Sequence, residues 1–257
     1  MGFSAAWLAL REPADHAARD AALLAAAAKA AGQPAVIVDL GCGTGSTIRA
    51  FAGHLADGAT WRLVDNDPEL LRHAAAATQG VVTTHRIDLR DLESLPLDGA
   101  SLVTASALLD LCSLDWVERL AARLADHRLP FYAALTYDGD MHWTPSDPAD
   151  AAVTRAFNRH QVGDKGFGPA LGPGATDAMA AALQRRGYAL RRADSPWQLG
   201  PAQSALQIEL LGGIATAAEE AGEELAKAWG GTRAAAAQTA LCHIGHTDLL
   251  ALPPDAP

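Results

Sequence analysis

The chain has 257 residues, a net charge of -10 at pH 7 and 49% apolar residues, which suits one α/β domain with additions. The acidic total argues against a nucleic-acid substrate, because a phosphate backbone needs a basic face. Three scattered cysteines without a CxxC pair argue against a disulfide framework or a structural zinc site.

The sequence contains no convincing targeting or membrane segment. The N-terminus lacks a basic region before its short apolar stretch, which a signal peptide would carry. No run approaches the roughly 20 apolar residues that span a bilayer. We therefore expect a cytoplasmic protein without membrane contact.

Predicted strands and helices alternate along the first half of the chain. A helix over 13–31 precedes the apolar run 35–40, which Pro34 and Gly41 bound and which is typical of a buried parallel strand. Such alternation predicts a parallel sheet with helices on both faces. The other strands are predicted at 60–65, 81–87, 100–105 and 130–137, and the other helices at 46–54, 68–77 and 114–125.

Residues 138–174 interrupt this alternation. They are rich in Gly, Pro and Asp, and an irregular segment of this length predicts a functional lid with one short helix near 149–159. After it the sequence predicts a helix over 176–186 and a sixth strand over 188–193. Residues 203–239 predict two helices broken at Gly230-Gly231, and a last strand follows over 240–250.

The turn Gly41-Cys42-Gly43-Thr44-Gly45 lies between the first strand and a helix. Its glycines permit a sharp turn and the close approach of a ligand, and the helix offers free N–H groups. Asp65 ends the next strand about 20 residues later, where a carboxylate accepts hydrogen bonds from a ribose diol. Nicotinamide enzymes favour G-x-G-x-x-G, whereas Gly45 falls one residue early for that pattern.

Val38–Gly45 resembles the first motif of the class I S-adenosylmethionine-dependent methyltransferases, and Leu63–Asp67 resembles their second, whose acidic residue holds the ribose hydroxyls. Ile87–Leu89 resembles the segment that meets the adenine, and Ser101–Leu109 the segment beside the methionine part. The resemblance covers about residues 35–137 and implies S-adenosylmethionine as the cofactor. The implied cofactor-binding residues are Arg11, Asp39, Gly41, Cys42, Gly43, Gly45, Asp65, Asn66, Asp88, Leu89 and Ser106.

Arg11 enters this set because an N-terminal segment often closes over the cofactor in such enzymes. Arg11 and Arg19 both precede the core. A guanidinium pairs with a carboxylate through two parallel hydrogen bonds, so either arginine is a candidate partner of the cofactor's carboxylate.

The resemblance also implies the fold, a doubly wound, Rossmann-like α/β sheet of seven strands with the last antiparallel and helices on both faces. Residues 1–34 are then an N-terminal helical cap and 35–257 the methyltransferase domain. Within that domain 138–174 is a lid or substrate insertion and 203–239 a helical insertion before the last strand. The inserted helices either cover the site or form a homodimer contact.

Catalytic groups are harder to predict, because a sulfonium already makes its methyl group electrophilic. A general base is needed only where the nucleophile is protonated at the working pH. Candidates lie at the ends of the fourth and fifth strands or on the lid, and histidine is the natural base near neutral pH. From Asp110, Tyr137, Asp138, Asp140, His142, His160, Asp164 and Lys165 we favour His142, His160 and Tyr137.

The sequence predicts no metal site. His243 and His246 are three residues apart, which puts them on opposite faces of a strand. Asp138 and Asp140 suit Mg2+ by their chemistry, but the sequence shows no third ligand.

The leading hypothesis is methyl transfer to O or N of a small molecule by direct in-line displacement. The fourth-strand segment Thr104–Leu109 lacks the Asn/Asp-Pro-Pro-Tyr motif of enzymes that methylate planar amino groups. The alternatives are a non-catalytic S-adenosylmethionine-binding partner subunit and a nicotinamide-dependent oxidoreductase. The identity of the substrate and the oligomeric state stay open at this point.

Overall fold

Strands and helices alternate in the computed structural model, which describes residues 3–78 and 80–254. Among the described residues, no helix combines the length and apolar character needed to cross a membrane. The strands are β1 (Val36–Leu40), β2 (Thr60–Asp65), β3 (Val81–Arg86), β4 (Leu102–Ser106), β5 (Phe131–Thr144), β6 (Ala189–Asp194), β7 (Trp197–Leu199) and β8 (Leu241–Leu252). The helices are α1 (Ala5–Ala18), α2 (Ala21–Ala30), α3 (Ser46–Ala50), α4 (Pro68–Ala77), α5 (Leu114–Asp126), α6 (Asp150–Gln161), α7 (Ala175–Gln184), α8 (Ser204–Glu220) and α9 (Ala226–Ala236).

The strands form one sheet in the order β3-β2-β1-β4-β5-β8-β6. β1 to β5 pair in parallel, whereas β8 lies antiparallel between β5 and β6. This arrangement confirms the doubly wound fold with an antiparallel last strand. The short β7 pairs with the start of β8 and brings the sheet to eight strands, one more than predicted. The strand order reverses between β1 and β4, where ligands of such sheets bind.

Helices cover both faces of the sheet, because alternate strand residues point to opposite sides. Val38 and Phe131 belong to the apolar cluster that includes residues of α5 and α7. Ile37 and Tyr132, their neighbours in sequence, belong to the cluster that includes residues of α2 and α4. Strands buried on both faces are apolar almost throughout, which is why their runs stand out in the sequence.

β5 and β8 extend past the parallel strands as a ribbon, residues 136–144 of β5 with 241–247 of β8, and β7 pairs with β8 along its other edge at residues 242–244. The predicted end of the fifth strand at 137 is therefore wrong, since the strand continues to Thr144. Met141 and Trp143 are buried on the inner face of the ribbon, whereas Asp138, Asp140 and His142 are exposed. Polar residues at every second position here indicate a strand with one exposed face rather than a loop.

Helices α6, α8 and α9 contribute to the apolar cluster on the inner face of the ribbon. Arg233 of α9 forms an ion pair with Asp150 at the start of α6 and donates to the carbonyl oxygen of Pro145 at 2.7 Å. The indole Nε1 of Trp229 also donates to Asp150, at 2.8 Å. These contacts join the helices of the 203–239 segment to the chain that follows β5.

The break between the two helices of 203–239 lies at residues 221–225 rather than at Gly230-Gly231. Gly230 lies inside α9 and packs against α8. A Cβ at Gly230 would lie 2.7 Å from the Cβ of Ala215. This glycine therefore serves a close contact between two helices and does not interrupt either one.

The N-terminal segment forms two helices instead of the single predicted helix over 13–31. α1 starts earlier because the Ser4 hydroxyl accepts a hydrogen bond from the amide of Trp7 at 3.1 Å. Arg19 is extended, and the carboxylate of Asp20 then caps α2 by accepting from the amide of Leu23 at 2.7 Å. Pro13 lies inside α1 rather than at its first turn.

Asp248 of β8 joins this N-terminal segment to the centre of the sheet. Its fully buried carboxylate accepts hydrogen bonds from the Tyr132 hydroxyl at 3.0 Å, the Leu135 amide at 2.9 Å and the Asp20 amide at 3.1 Å. Leu135 has a φ of 56° and lies at a register shift between β5 and β8. The carboxylate thus fixes the irregularity at which the sheet passes into the ribbon.

We expect Asp248→Asn to lower the free energy of unfolding by roughly 2–3 kcal/mol, because an amide cannot accept from all three donors and hydrogen bonds to a charged group contribute about 1.5–3 kcal/mol each. Chemical denaturation monitored by circular dichroism measures this. Asp57→Asn, at an exposed loop position, is the control and should change stability by less than about 0.5 kcal/mol. Equal stability of both variants would contradict the role of Asp248.

Candidate active site

A cavity at the carboxyl ends of β1, β2 and β4, here called the first cavity, brings together most of the predicted cofactor-binding residues. Thr44, Ser46, Thr47 and Asp67 also line it, and the sequence analysis did not include them. Asp39 and Gly45 do not line it. The predicted residues that do are Arg11, Gly41, Cys42, Gly43, Asp65, Asn66, Asp88, Leu89 and Ser106.

The glycine turn after β1 forms one wall of the first cavity. Gly41, Gly43 and Gly45 have φ values of 63°, 53° and 84°, in the left-handed region that other residues rarely adopt. A Cβ on Gly43 would lie 3.0 Å from Cδ1 of Leu8 in α1, and a Cβ on Gly45 would lie 3.3 Å from that of Ala74 in α4. Gly43 therefore lets α1 approach the turn, and Gly45 lets the turn pack against α4.

Asp65 at the end of β2 holds the turn in place. Its Oδ2 atom accepts a hydrogen bond from the Gly43 amide at 2.9 Å, and its Oδ1 atom accepts from the Asp67 amide at 3.0 Å. A carboxylate has about four acceptor positions, so two remain for a ligand. Asp65 thus combines a buried position in the cavity wall with free acceptor capacity.

Asp88 and Leu89, which follow β3, also line the first cavity. The Asp88 carboxylate pairs with the guanidinium of Arg90, whose hydrogen bonds hold the pKa of that carboxyl below its usual range. The Leu89 side chain is buried, and its carbonyl oxygen accepts from the indole Nε1 of Trp116 at 2.7 Å. An anionic acceptor beside an apolar surface suits a flat heteroaromatic ring with an amino group.

Asp39 lies beneath the turn instead of in the cavity. Its Oδ1 atom accepts from the hydroxyl of Thr104 at 2.7 Å, and its side chain is buried in the sheet. Burial raises the pKa of Asp39 to about 7, although the Thr104 hydroxyl and the charge of Arg19 act in the opposite direction. Arg19 in turn donates to the Ser106 hydroxyl at 2.9 Å. Asp39 therefore supports the strand ends below the ligand.

Helix α1 closes the first cavity and is fastened to the glycine turn. Leu8, Arg11 and Asp15 line the cavity. Glu12 pairs with Arg49 of α3 at 2.5 Å, a hydrogen bond that lowers the pKa of Glu12. Because this pair lies on the side of α1 that faces the turn, the helix is held over the cavity.

Arg11 occupies the junction between the first cavity and a neighbouring one. Its Nε and Nη2 atoms donate to Asp15 at 2.8 and 3.0 Å, and its guanidinium carbon lies 4.9 Å from the ring centre of Trp197. The Trp197 indole also donates to Asp15, at 3.0 Å. The Nη1 atom of Arg11 makes no hydrogen bond to the described residues, so it retains donor capacity for a ligand.

The second cavity adjoins the first and shares Phe3, Arg11, Ala107 and Leu111 with it. Its walls are mostly apolar and come from α1, the ribbon, α6 and α8. Its aromatic lining residues are Phe3, Trp7, Tyr137, Phe157 and Trp197, and its aliphatic ones include Leu135, Met141, Leu210, Ile214 and Ile244. Such a lining suits a flat or apolar molecule.

Two ionisable groups of the second cavity each have one buried atom without a hydrogen-bond partner among the described residues. They are the Oδ1 atom of Asp110, which follows β4, and the Nδ1 atom of His246 on β8. Burial raises the pKa of Asp110 to about 6 and lowers the pKa of His246 to about 3. Perturbed groups in a cleft are candidates for catalysis, because a partner for them is supplied when a ligand binds.

Tyr137, predicted as catalytic, lines the second cavity. Its hydroxyl donates to the Oδ1 atom of Asn158 at 2.7 Å. Burial raises the pKa of the Tyr137 phenol well above its usual range. The phenol is therefore neutral and already engaged, which suits a wall of the cavity better than a base.

His142 and His160, also predicted as catalytic, do not line either cavity. Because β5 continues to Thr144, His142 lies on the exposed outer face of the ribbon, stacked on His243. His160 at the end of α6 lies 3.0 Å from Lys165, and Lys165 does line the first cavity. His160 therefore reaches the site only through Lys165.

From the sequence, Asp110 is one of several candidate bases and is not a favoured one. His246 is a candidate there only as a metal ligand beside His243. The signal for His246 is the alternation of β8. Ile244, His246 and Asp248 point to one side of the strand and all three are buried. A histidine among inward-facing residues next to a predicted substrate cavity is a stronger candidate than one in a polar segment.

Comparison with known proteins agrees with this geometry. Residues 37–130 match the family model described as "Methyltransferase domain". No match is found among the curated proteins.

Solved structures share the fold at low identity. The cyclopropane synthase MmaA2 from Mycobacterium tuberculosis is 13% identical, with a TM-score of 0.50 over 90% of this chain and 83% of that one. A candidate type II methyltransferase from Anaeromyxobacter dehalogenans is 19% identical, with a TM-score of 0.52 over 91% of this chain and 97% of that one. The glycine turn, Asp65, the sheet order and the match over residues 37–130 therefore agree on a methyltransferase-like domain, the kind that binds S-adenosylmethionine.

Proposed function

We propose that this protein transfers the methyl group of S-adenosylmethionine to an oxygen or nitrogen atom of a small molecule with an aromatic or apolar body. The observation that supports this most directly is the second cavity, which has an aromatic lining, opens beside the first and holds the unpartnered Asp110. A methyl acceptor in that cavity would lie next to a cofactor in the first.

The residues that line the first cavity suit the chemical groups of the cofactor. Asp65, with two free acceptor positions, would hold the ribose hydroxyls, and Asp88 and Leu89 would contact the adenine. Arg11, through its free Nη1 atom, would meet the carboxylate at the other end. Cys42, Gly43, Asn66 and Ser106 would complete the walls, while Asp39 and Gly45 hold the turn from below.

The cofactor supplies an electrophilic methyl group, so the protein's task is to align the acceptor and exclude water. The N-terminal segment covers both cavities through Phe3, which precedes α1, and Arg11 of α1; both residues are shared between the cavities. The aromatic side chains of Trp7, Tyr137 and Trp197 would orient the body of the acceptor so that its nucleophilic atom points at the first cavity.

Asp110 is the group that we propose as general base. A base works best when its pKa lies near the working pH, and a pKa of about 6 meets that condition. The acceptor's O–H or N–H proton would pass to Oδ1 of Asp110 as the new bond to the methyl carbon forms, and the bond from that carbon to sulfur would break with its electron pair on sulfur, which leaves as S-adenosylhomocysteine. His246, with a pKa of about 3, is neutral and is better suited to orient the acceptor by a hydrogen bond.

The first test is calorimetric titration with S-adenosylhomocysteine. We expect micromolar binding by the wild type and a loss of about tenfold or more in Asp65→Ala, equivalent to about 1.4 kcal/mol, because the variant loses the acceptors for the ribose. Asp57→Ala is the control, and thermal unfolding checks that each variant is folded. Wild-type affinity in Asp65→Ala would overturn the assignment of the first cavity.

The second test concerns chemistry. The wild type is incubated with methyl-labelled S-adenosylmethionine and a panel of phenols, heteroaromatic amines and aliphatic controls, and product is followed by mass spectrometry. For any acceptor found, Asp110→Asn should lower kcat by roughly 10²- to 10⁴-fold, the usual contribution of a general base. Asp115→Asn, at an exposed position of α5, should not. Unchanged kcat in Asp110→Asn would remove Asp110 from the mechanism.

The third test uses stability and needs no acceptor. Because burial raises the pKa of Asp110 from 3.8 to about 6, the folded state binds its proton more tightly than the unfolded state, and the ionised form destabilises the fold as pH rises through that range. The free energy of unfolding of Asp110→Asn should therefore exceed that of the wild type by roughly 1–3 kcal/mol at pH 7.5. At pH 4 the two proteins should differ little. A pH-independent difference in urea denaturation would contradict the buried charge.

A further inference from the structure

The outer face of the ribbon carries a cluster of three metal-ligating side chains, which lies apart from both cavities. Asp140 and His142 are two residues apart in β5, so they share a face, and His142 is paired in register with His243 of β8. The inward-facing neighbours Met141 and Ile244 line the second cavity. Strand alternation therefore separates this cluster from the site for the methyl acceptor.

We infer that Asp140, His142 and His243 bind a divalent transition-metal ion, with Zn2+ as the best match. The Oδ2 atom of Asp140 lies 3.5 Å from Nδ1 of His142 and 3.5 Å from Nε2 of His243. The donor atoms of all three residues lie within 4.8 Å of one another. Ligands about 2.1 Å from a tetrahedral ion lie about 3.4 Å apart, so the two measured separations already match a coordinated set.

The donor types select the class of metal. Two imidazoles with one carboxylate match the three-ligand sets that proteins use for Zn2+ with one position left for water. Ca2+ and Mg2+ prefer oxygen ligands and larger coordination numbers. Parallel stacking of the two imidazole rings, with centres 4.2 Å apart, keeps both rings on the same side of the strands as Asp140.

A second layer of contacts orients the ligands. The side-chain amide of Gln198 on β7 lies 2.9 Å from Nδ1 of His243. The Gln198 atom that faces Nδ1 is the amide nitrogen Nε2, and a metal-bound Nε2 of His243 requires a proton on Nδ1, so metal binding would turn the Gln198 amide until its oxygen accepts the hydrogen bond from Nδ1. The carboxylate of Asp138 accepts from the Asp140 amide at 2.9 Å and so fixes the backbone of the third ligand.

Gly245 makes room for this second layer. A Cβ at Gly245 would meet the carboxylate of Asp138, so only glycine lets Asp138 fold over β8 toward Asp140. The two aspartates add negative charge beside a dication. The ion would thus join β5 to β8 at the exposed end of the ribbon, on the reverse side of the wall of the second cavity.

The test is calorimetric titration of chelator-treated, full-length protein with Zn2+, repeated with Co2+ so that absorption bands report the ligand set. We expect one ion per chain with micromolar or tighter affinity, and a rise in the melting temperature on adding Zn2+. Gln198→Leu should weaken binding by roughly 10- to 100-fold, and His142→Ala or His243→Ala should weaken it more and abolish the rise in melting temperature.

The matched control is His73→Ala, an exposed histidine of α4, which should bind Zn2+ as the wild type does. Retained affinity for S-adenosylhomocysteine shows that each variant is folded and separates this test from that of the first cavity. Wild-type Zn2+ affinity in His243→Ala, or binding by the wild type only at millimolar Zn2+, would overturn the proposal.

Discussion

The carboxylate of Asp248 connects three parts of the molecule. It accepts from the Asp20 amide of the N-terminal cap, from the Tyr132 hydroxyl in the core and from the Leu135 amide at the start of the ribbon. A buried anion requires full satisfaction by donors, so none of these three groups can move alone. The cap that closes the first cavity and the ribbon that walls the second are thereby positioned relative to one sheet.

Some polar atoms of the second cavity do not follow the rule that buried polar groups form hydrogen bonds. Asp110 and His246 are buried in the second cavity without partners among the described residues, although such groups cost free energy. Arg11 between the cavities is by contrast neutralised by Asp15 and stacked on Trp197. Arg19 and Asp39 also have buried side-chain atoms without a hydrogen-bond partner among the described residues, so incomplete satisfaction extends from the second cavity to the strand ends beneath the glycine turn.

Most residues that line the first cavity could be predicted to lie together because they are close in sequence. A turn with three left-handed glycines and an acidic residue at the next strand end, Asp65, can be read from one strand–helix–strand unit. The acceptor half could not be predicted in this way. His246 and Asp110 meet only because β8 inserts beside β5, and Trp197 contacts Arg11 across most of the chain.

The alternation of buried and exposed residues along β5 explains why the sequence predicts the end of this strand too early, at residue 137. In β5 the residues from Tyr137 to Thr144 change from buried to exposed at nearly every step, which in composition alone resembles a polar loop. Because successive residues of a strand point to opposite faces, Met141 lines the second cavity and His142 lies on the outer face. On β8, Ile244 likewise lines the second cavity and His243 lies on the outer face. Since a shift of one residue would exchange the two faces, whatever stabilises this register also determines which side chains line the second cavity. A metal ion bound on the outer face would act on the acceptor cavity through that constraint, without contacting the acceptor.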